Sequence, residues 1–211
     1  MKSLAVVTAA FAIALVSPAP SLAQVPVRAP APAAFDPALH AAVVGTTPIT
    51  LADASHWMTI AISGTPETKA TSDCSVALPG PGKRLKQLRE QVSTFLIRGA
   101  WLEAEAAERG IVTNAAEVTR SFNRARRQAF PRKADYLKFL KSSCQTESDL
   151  LTRQRLQIVE RRITKNVMDE ARTAKGKQRR LARFGSEYEE KWRARTYCAD
   201  GYVNSHCANA E

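Results

Sequence analysis

The sequence predicts a mainly α fold that contains a short β-strand near its start and a closing helix near its C-terminus. Apolar residues recur at helical spacing in several separate stretches, and positions three and four apart share one face of a helix. Capping residues and glycines stand at the ends of those stretches. Because 45% of the 211 residues are hydrophobic, the chain can also build the core of one globular domain.

The N-terminus has the composition of an export signal. Lys2 gives it a positive start, residues 4–16 are apolar apart from one threonine, and small residues precede a cleavage point at Ala23. The apolar stretch is shorter than the roughly 20 residues that cross a bilayer. We therefore expect a signal peptide over residues 1–23 and an exported protein, with an uncleaved anchor or a buried helix as the alternative. A Pro/Ala-rich tether is expected over residues 24–39.

A strand and a helix are expected to open the folded domain. Residues 41–45 form a short apolar run that indicates a strand, and residues 46–48 are expected to turn the chain. Thr50 and Asp53 have the spacing of a capping box at the start of a helix. The apolar side chains of that helix are Leu51, Trp57, Met58 and Ile62. A loop over residues 63–82 follows, which is long for a compact domain.

A long helix is predicted to begin at Lys83 and to end at Gly110. Its apolar face comprises Leu85, Leu88, Val92, Phe95, Gly99, Leu102 and Ala106. Gly110 followed by Ile111 is typical of a Schellman ending, in which the glycine adopts a left-handed conformation. Asn114 and Glu117 have the residue types and spacing that start a further helix.

Three more helices are predicted after the helix that Asn114 starts. Phe130-Pro131 ends that helix, because proline disfavours the helical conformation in the residue before it. Thr146 and Asp149 form a second capping box. The apolar faces of these four helices comprise Val118, Phe122, Ala125 and Ala129, then Tyr136, Leu137, Phe139 and Leu140, then Leu156, Val159, Ile163 and Val167, and finally Leu181, Phe184, Tyr188 and Trp192. The helical spacing of apolar residues is interrupted around Gly176, before the last helix.

Four cysteines permit three disulfide pairings. Cys198 and Cys207 flank a short loop, and we expect them to close a small C-terminal knob over residues 198–211. The remaining cysteines, Cys74 and Cys144, allow a second disulfide, which the sequence does not decide. A structural disulfide indicates an oxidising compartment, which agrees with export.

The chain is strongly basic. It has 31 Lys and Arg residues against 20 Asp and Glu residues, a net charge of +11. Such a charge usually suggests nucleic acid or an anionic surface as the partner. Expected export argues against nucleic acid and leaves anionic envelope polymers, lipid head groups and acidic polypeptides. The simplest alternative is that the cations form solvated helix faces.

The sequence contains no recognisable catalytic, cofactor-binding or metal-binding set. It has neither a glycine-rich phosphate loop nor a nucleophile elbow, and its three histidines are scattered. His56 has no evident partner and is expected to be a packed or surface residue. Glu103, Glu105 and Glu108 crowd one helix and are expected to form a solvated face. A zinc site near the C-terminal cysteines would lack a fourth ligand.

Several short motifs follow one another in an order that resembles a known family. The first elements contain Val43-Val44-Gly45, Pro48-Ile49-Thr50 and His56-Trp57, and the long helix contains Leu88-Arg89, Gln91-Val92, Phe95-Leu96-Ile97, Trp101-Leu102, Glu105-Ala106 and Gly110-Ile111. Phe130-Pro131, Asp135-Tyr136, Phe139-Leu140 and residues 146–150 come next, before a tail with Lys191-Trp192, Thr196, Cys198, Gly201-Tyr202-Val203, Cys207 and Asn209. Together they resemble the N-terminal module and C-terminus of the SurA-like and PrsA-like foldases, envelope chaperones that carry parvulin-type peptidyl-prolyl isomerase domains.

One departure from that family concerns catalysis. In full-length members the isomerase domain stands between the fourth helix of the module and the closing helix, and such a domain needs about 90 to 100 residues. Here residues 169–181 fill the interval, with a basic sequence that contains no histidine and no aromatic residue. The family's isomerase site uses paired histidines. The resemblance therefore implies the helical chaperone domain, over residues 40–197, without the catalytic domain.

The implied function is that of a non-catalytic chaperone or holdase for unfolded or nascent exported polypeptides. Such a protein needs exposed apolar surface, and the candidate client-binding residues are Trp57, Met58, Trp101, Phe122, Tyr136 and Phe139. Each has a core position as its alternative, since aromatic residues at helical spacing usually face the core. The other functions left open are a basic envelope adaptor that binds anionic polymers through residues 120–127 and 172–183, an isomerase-family member with residual activity, and a plain structural domain.

Overall fold

The computed structural model of the chain describes residues 31–63, 74 and 76–210. The predicted signal peptide lies outside the described residues, as do the first part of the predicted tether and most of the loop expected over residues 63–82. The elements are β1 (His40–Val44), β2 (Thr47–Thr50), α1 (Leu51–Ser63), α2 (Lys83–Glu108), α3 (Ala115–Ala129), α4 (Lys133–Ser143), α5 (Glu147–Asp169), α6 (Ala174–Ala194) and β3 (Thr196–Cys198). The predicted mainly α fold is confirmed. None of the helices in the described part of the chain is long and apolar enough to cross a membrane.

A small antiparallel sheet in the order β2-β1-β3 brings the two ends of the domain together. β1 is the predicted strand, and its last four residues are fully buried. The turn expected over residues 46–48 is confined to Gly45, with φ +58°, and Thr46, because Thr47 already pairs with Val44. Pro48 is tolerated in β2 because this is an edge strand. β3 has only three residues and shows no alternation in sequence.

Local capping interactions start α1 and α5 as predicted. The Thr50 N–H donates to the Asp53 carboxylate at 3.0 Å, and the Asp53 N–H donates back to Thr50 Oγ1 at 3.0 Å. At α5, Thr146 and Asp149 exchange the same pair of bonds, at 2.7 and 3.2 Å. Both capping boxes are confirmed, and each satisfies N–H groups that lack partners at a helix start.

The predicted Schellman ending of α2 is also confirmed. Gly110 has φ +66°, a conformation that glycine adopts without steric cost. Its N–H donates to the Ala107 carbonyl at 3.1 Å, and the Ile111 N–H donates to the Ala106 carbonyl at 2.8 Å. These two bonds end the helix and turn the chain toward α3.

The starts of α3 and α6 differ in detail from the expectation. Asn114 caps α3 through the N–H of the second helical residue, at 2.8 Å, while the Glu117 carboxylate binds Arg162 of α5 at 2.6 Å. Thr173 caps α6 by accepting from the Gly176 N–H at 3.0 Å. The closing helix therefore begins seven residues before Leu181, the first residue of its predicted apolar face. A glycine and several cations hide the helical spacing in its first turns.

The buried side chains form three clusters around α2. The first joins the sheet, α2, the end of α6 and the C-terminal loop, and includes Ile97, Trp101 and Trp192. The second packs α1 against the first half of α2. The third packs α5 and the inner face of α6 against the last turns of α2. The sheet, α1, α5 and α6 thus all pack against this one long helix.

Both disulfides form. Cys198 pairs with Cys207, and Cys74 pairs with Cys144 across a separation of 70 residues. The first pair lies inside the core, with residue exposures of 0% and 2%. The Ala199 N–H donates to the Ala41 carbonyl at 2.9 Å, which continues the pairing of the C-terminal segment with β1. Two disulfides indicate an oxidising environment.

The expectation that Glu105 lies on a solvated face is wrong. Glu105 is 3% exposed, and its carboxylate accepts from the Arg109 Nε at 2.6 Å, the Lys191 Nζ at 2.6 Å and the Trp192 Nε1 at 2.9 Å. One residue on α2 thereby binds two residues near the end of α6. Beside it, the Trp101 Nε1 donates to Thr196 Oγ1 at 2.7 Å.

These partners determine the ionisation of Glu105. Burial by itself raises the pKa of this carboxyl group, but hydrogen bonds from Lys191, Arg109 and Trp192 outweigh burial. The pKa of Glu105 therefore lies below its ordinary value of 4.5. The carboxylate is the charged acceptor that all three donors require.

We predict that Glu105→Gln lowers the free energy of unfolding by about 2–4 kcal/mol, because it removes the charge from a buried, multiply bonded acceptor. Urea unfolding followed by far-UV circular dichroism measures the change. The matched control is Glu103→Gln on the same helix, which removes an exposed pair with Arg155 at 2.6 Å. That control should cost less than about 1 kcal/mol. Equal effects of the two substitutions would contradict a special role for Glu105.

Acid should weaken the wild-type protein through the same carboxylate. Because the folded-state pKa of Glu105 is depressed, its stabilising contribution is present above the unfolded-state pKa, near 4.5, and is lost as the pH falls through the lower folded-state value. Thermal midpoints from pH 7 down to about 3 test this. The difference between wild type and Glu105→Gln should shrink toward the acid end. A difference that does not depend on pH would refute the ionised form as the stabilising one.

Removal of the long-range disulfide by Cys74→Ser with Cys144→Ser should lower the free energy of unfolding by about 4 kcal/mol, since a bridge across this many residues restricts the unfolded chain strongly. The helical circular dichroism signal should persist, because no core cluster includes either sulfur. Urea unfolding of the double variant against oxidised wild type provides the measurement. Loss of helical structure without denaturant would show instead that the bridge is required for the fold itself.

Candidate polypeptide-binding groove

Three adjoining clefts surround the N-terminal half of α5. The first cleft, of about 400 Å³, lies between α2, α5 and the start of β2. Small residues of α2, namely Gly99, Ala100 and Ala104, form its floor. Its walls are the aromatic and aliphatic side chains of Trp57, Phe95 and Leu156. This composition makes the first cleft the most apolar concave surface near α5.

Close contact between α2 and α5 shapes the first cleft. A Cβ atom on Gly99 would lie 3.1 Å from the Leu156 Cδ1, so glycine lets this leucine sit directly on the α2 backbone. Trp57 of α1 stands on the other side, with its ring centroid 4.6 Å from that of Phe95. The two rings pack in the tilted arrangement that aromatic quadrupoles favour.

The second cleft, of about 490 Å³, continues past the contact between Gly99 and Leu156. It shares Phe95, Gly99 and Leu156 with the first cleft. Apart from Leu102, its other walls are polar or charged side chains: Gln91, Thr94, Arg98, Arg153, Gln157 and Glu160. The second cleft therefore extends the apolar surface into a partly charged channel along α5.

The third cleft, of about 250 Å³, lies where α3 and α4 meet α5. An aromatic cluster forms its wall: the ring centroids of Phe122 and Tyr136 are 6.4 Å apart, those of Phe130 and Tyr136 5.8 Å, and those of Phe130 and Phe139 5.0 Å. Arg153 and Gln157 line both the second and the third cleft. Shared walls thus join the three clefts into one groove beside α5.

Two arginines stack on the aromatic walls of this groove. The Arg153 guanidinium lies 4.9 Å from the Trp57 ring centroid and 5.6 Å from that of Phe95. The Arg126 guanidinium lies 5.3 Å from the Tyr136 ring, and its Nε is buried without a hydrogen-bond acceptor among the described residues. Such stacking leaves the charge available while the stem covers apolar surface.

Polar contacts fix the ends of α4 and α5 beside the groove. The Tyr136 hydroxyl donates to the Glu147 carboxylate at 3.1 Å, and burial together with this carboxylate raises the pKa of Tyr136. His56, for which the sequence showed no partner, lies 2.8 Å from Asp149 through its Nε2. Burial opposes ionisation of Asp149, but bonds from Thr146 and His56 hold the pKa of Asp149 below its ordinary value. The pair ties α1 to the first turn of α5.

The predicted client-binding residues divide into two groups. Phe122, Tyr136 and Phe139 come together in the third cleft, and Trp57 lines the first cleft. Met58 and Trp101 line none of the three clefts. Met58 is 3% exposed in the second core cluster and Trp101 is 2% exposed in the first. Trp57, Phe122 and Tyr136 are also largely buried, at 8%, 6% and 4%, so what separates the two groups is contact with a cleft rather than exposure.

Phe95, Arg153 and Leu156 connect the clefts. Sequence reasoning placed Phe95 and Leu156 on apolar helix faces but proposed none of the three as a binding residue. The small residues at positions 99, 100, 104 and 107 were a usable signal, since such residues on one long helix allow another element to approach closely. Arg153 gave no signal of its own, because its stacking partners come from α1 and α2.

The described residues offer little for metal chemistry. No group of three His, Cys, Asp or Glu side chains among them is placed to hold a metal ion. The C-terminal cysteines are joined in a disulfide, and His206 packs near Trp101 with ring centroids 5.2 Å apart. A larger cavity, of about 740 Å³, lies between the start of α2 and the C-terminal loop, but no aromatic side chain lines it.

Comparison with models of protein families, with curated proteins and with solved structures finds no match to this chain. Function therefore has to be inferred from the three clefts, from the charges around them and from the resemblance in sequence.

Proposed function

We propose that this protein is an exported, non-catalytic chaperone that holds unfolded or nascent exported polypeptides in the groove beside α5. The observation that carries the proposal is the continuity of the three clefts, which share walls at Phe95, Leu156 and Arg153. A binding surface for many unfolded sequences needs apolar area in a long channel rather than a closed pocket for one small molecule.

The length of the groove suits a short extended segment. Its α5 wall runs from Leu150 to Glu160, and ten helical steps of 1.5 Å span about 15 Å. An extended chain advances about 3.3 Å per residue, so the groove accommodates four or five residues. Aromatic and aliphatic side chains at both ends give such a segment apolar contacts, and the glutamines between them supply hydrogen bonds to its backbone.

The charges around the groove favour segments that contain acidic residues. Arg98, Arg126 and Arg153 line it and form no ion pair with the described residues. Of the two described acidic residues that line it, Glu103 is bound to Arg155 at 2.6 Å, so the three arginines face Glu160 alone as an uncompensated acid. Exposed charges of this kind speed encounter and weaken with salt, whereas apolar contacts do not. Capture of acidic clients should therefore lose speed at high salt while holding persists.

Export is supported by three independent features. The N-terminus has the composition of a signal peptide, two disulfides form in the structure, and the order of motifs resembles that of envelope foldases. We therefore propose the cell envelope, periplasm or extracellular space as the site of action. An unfolded chain crossing into that space exposes the apolar segments that the groove accepts.

We predict that Ala107→Gln with Thr152→Gln weakens client holding about fivefold or more, because polar side chains then fill the exposed edge of the first cleft, and excluding one apolar client group from it costs about 1 kcal/mol. Both positions are exposed, so the fold should be preserved. The measurement is the protein concentration that halves aggregation of a chemically unfolded client, at low salt and at about 0.5 M salt. Ala182→Gln with Ser186→Gln, on exposed positions of α6, is the matched control.

Three results would contradict parts of the proposal. Failure of the wild-type protein to suppress aggregation at either salt concentration would remove the chaperone function. Equal weakening by the groove pair and the α6 pair would remove the groove as its site. Prolyl isomerisation by the wild-type protein, measured on a proline-containing peptide, would contradict the non-catalytic part of the proposal.

A further inference from the structure

The N-terminal half of α6 carries an uncompensated positive charge. Residues 171–186 contain six Lys and Arg side chains and no acidic one. Lys175, Arg179 and Arg183 are exposed and recur four residues apart, which places them on one side of the helix. These three residues are called the basic face of α6 below. The face is separate from the groove beside α5.

Packing holds the basic face toward solvent. Leu181 and Phe184, on the opposite side of α6, pack against the third core cluster. The Arg109 guanidinium covers the Phe184 ring at 4.7 Å from its centroid. Since α6 is anchored along this inner side, the three cations project from a rigid support rather than from a loop.

The three cations of the basic face have no acidic partner in the described part of the chain, unlike Arg180 and Lys191 of the same helix. Arg180 binds Glu170 at 2.5 Å and Glu187 at 3.2 Å, and Lys191 binds the buried Glu105 at 2.6 Å. Lys175, Arg179 and Arg183 form no ion pair or hydrogen bond with the described residues. Acidic side chains thus neutralise Arg180 and Lys191, while the three cations of the basic face keep their charge uncompensated.

This placement carries a cost to the helix itself. Cations in the first turns oppose the positive end of the helix dipole, and like charges four residues apart repel each other. The ends of α3 differ from this, because Glu117 lies in its first turn and Arg126 and Arg127 lie in its last turn, where each charge is favourable. The charges at the ends of α3 therefore stabilise their helix, whereas Lys175, in the first turn of α6, opposes the dipole of its own helix.

A membrane surface fits the basic face poorly. Helices that adsorb to lipid insert large apolar side chains beside their cations. The exposed large apolar residues in the described part of the chain are Leu39, Leu78, Val112 and Leu137, and none of them lies on α6. A partner that interacts through charge alone is therefore favoured.

We infer that the basic face of α6 is a binding site for a linear, phosphate-bearing polyanion. Lys175, Arg179 and Arg183 present one cation about every 6 Å along the helix axis, since each helical residue advances 1.5 Å. A polymer with an anionic group on each repeat unit can lie along this row and contact successive cations. Two of the three cations are arginines, whose planar guanidinium groups bind phosphate oxygens in pairs.

The test compares two variants with the same reduction in charge. Lys175→Gln, Arg179→Gln and Arg183→Gln together remove the basic face, and Arg120→Gln, Arg124→Gln and Arg127→Gln remove three exposed cations from α3. Binding of fluorescently labelled linear polyphosphate to the full-length oxidised protein is measured by anisotropy over a series of salt concentrations. Far-UV circular dichroism establishes that each variant is folded.

The α6 variant should bind polyphosphate at least tenfold more weakly at low salt. The slope of log affinity against log salt should fall by about two, because each phosphate contact contributes about 0.7 to 0.9 to it in nucleic acids. The α3 variant should change the affinity by less than about threefold. A weaker effect of the α3 variant would show that binding depends on the basic face of α6 rather than on the net charge of the protein.

Three outcomes would overturn the inference. Wild type that fails to bind polyphosphate has no such site, and equal weakening in the two variants would show that diffuse charge is responsible. Binding of wild type to phosphatidylglycerol vesicles, in preference to polyphosphate and abolished in the α6 variant, would assign the face to lipid instead. Client holding in the groove is measured separately, so failure of either proposal leaves the other standing.

Discussion

The buried carboxylate of Glu105 is the interaction on which the rest of the structure depends. It accepts hydrogen bonds from its own helix and from two residues near the end of α6, 86 and 87 positions later in the chain. A buried carboxylate without partners would be strongly destabilising, so α6 has to be in place for α2 to bury this face. The Trp101–Thr196 bond extends the same contact to β3. The long helix α2 therefore forms one cooperative unit with the closing helix α6 and the sheet.

The groove is a by-product of that arrangement. Glu105 and Trp101 turn one side of α2 toward α6 and the sheet, which leaves the small residues Gly99, Ala100 and Ala104 on another side. α5 packs on that side through Leu156, but one leucine does not fill the hollow above these small residues. The clefts on both sides of this contact remain open. Apolar surface is thus exposed at a place where the helices cannot close on it without moving α2 away from α6, to which Glu105 binds it.

Sequence reasoning predicted the parts of this molecule that depend on nearby residues. Both capping boxes and the Schellman ending at Gly110 follow from residues within a few positions, and they determine where α1 and α5 begin and where α2 ends. The burial of Glu105, the His56–Asp149 pair and the strand β3 depend on partners far along the chain, and periodicity carries no information about them. Phe122, Tyr136 and Phe139 come from neighbouring helices and could be proposed from sequence as binding residues. Arg153, which connects the clefts, could not, because its stacking partners lie far from it in the chain.

The central position of β1 ties completion of the fold to the order in which the chain is made. β1 leaves the ribosome early, but its partner β3 follows more than 150 residues later. Until Thr196–Cys198 emerges, the buried Val43 and Val44 have one unpaired edge, and Val44 lacks the cluster that it forms with Trp192 and the C-terminal loop. Synthesis and any translocation thus pass through a long interval in which this strand is open to pairing with other chains. A protein with this topology begins its own existence as the kind of unfolded chain that it is proposed to hold.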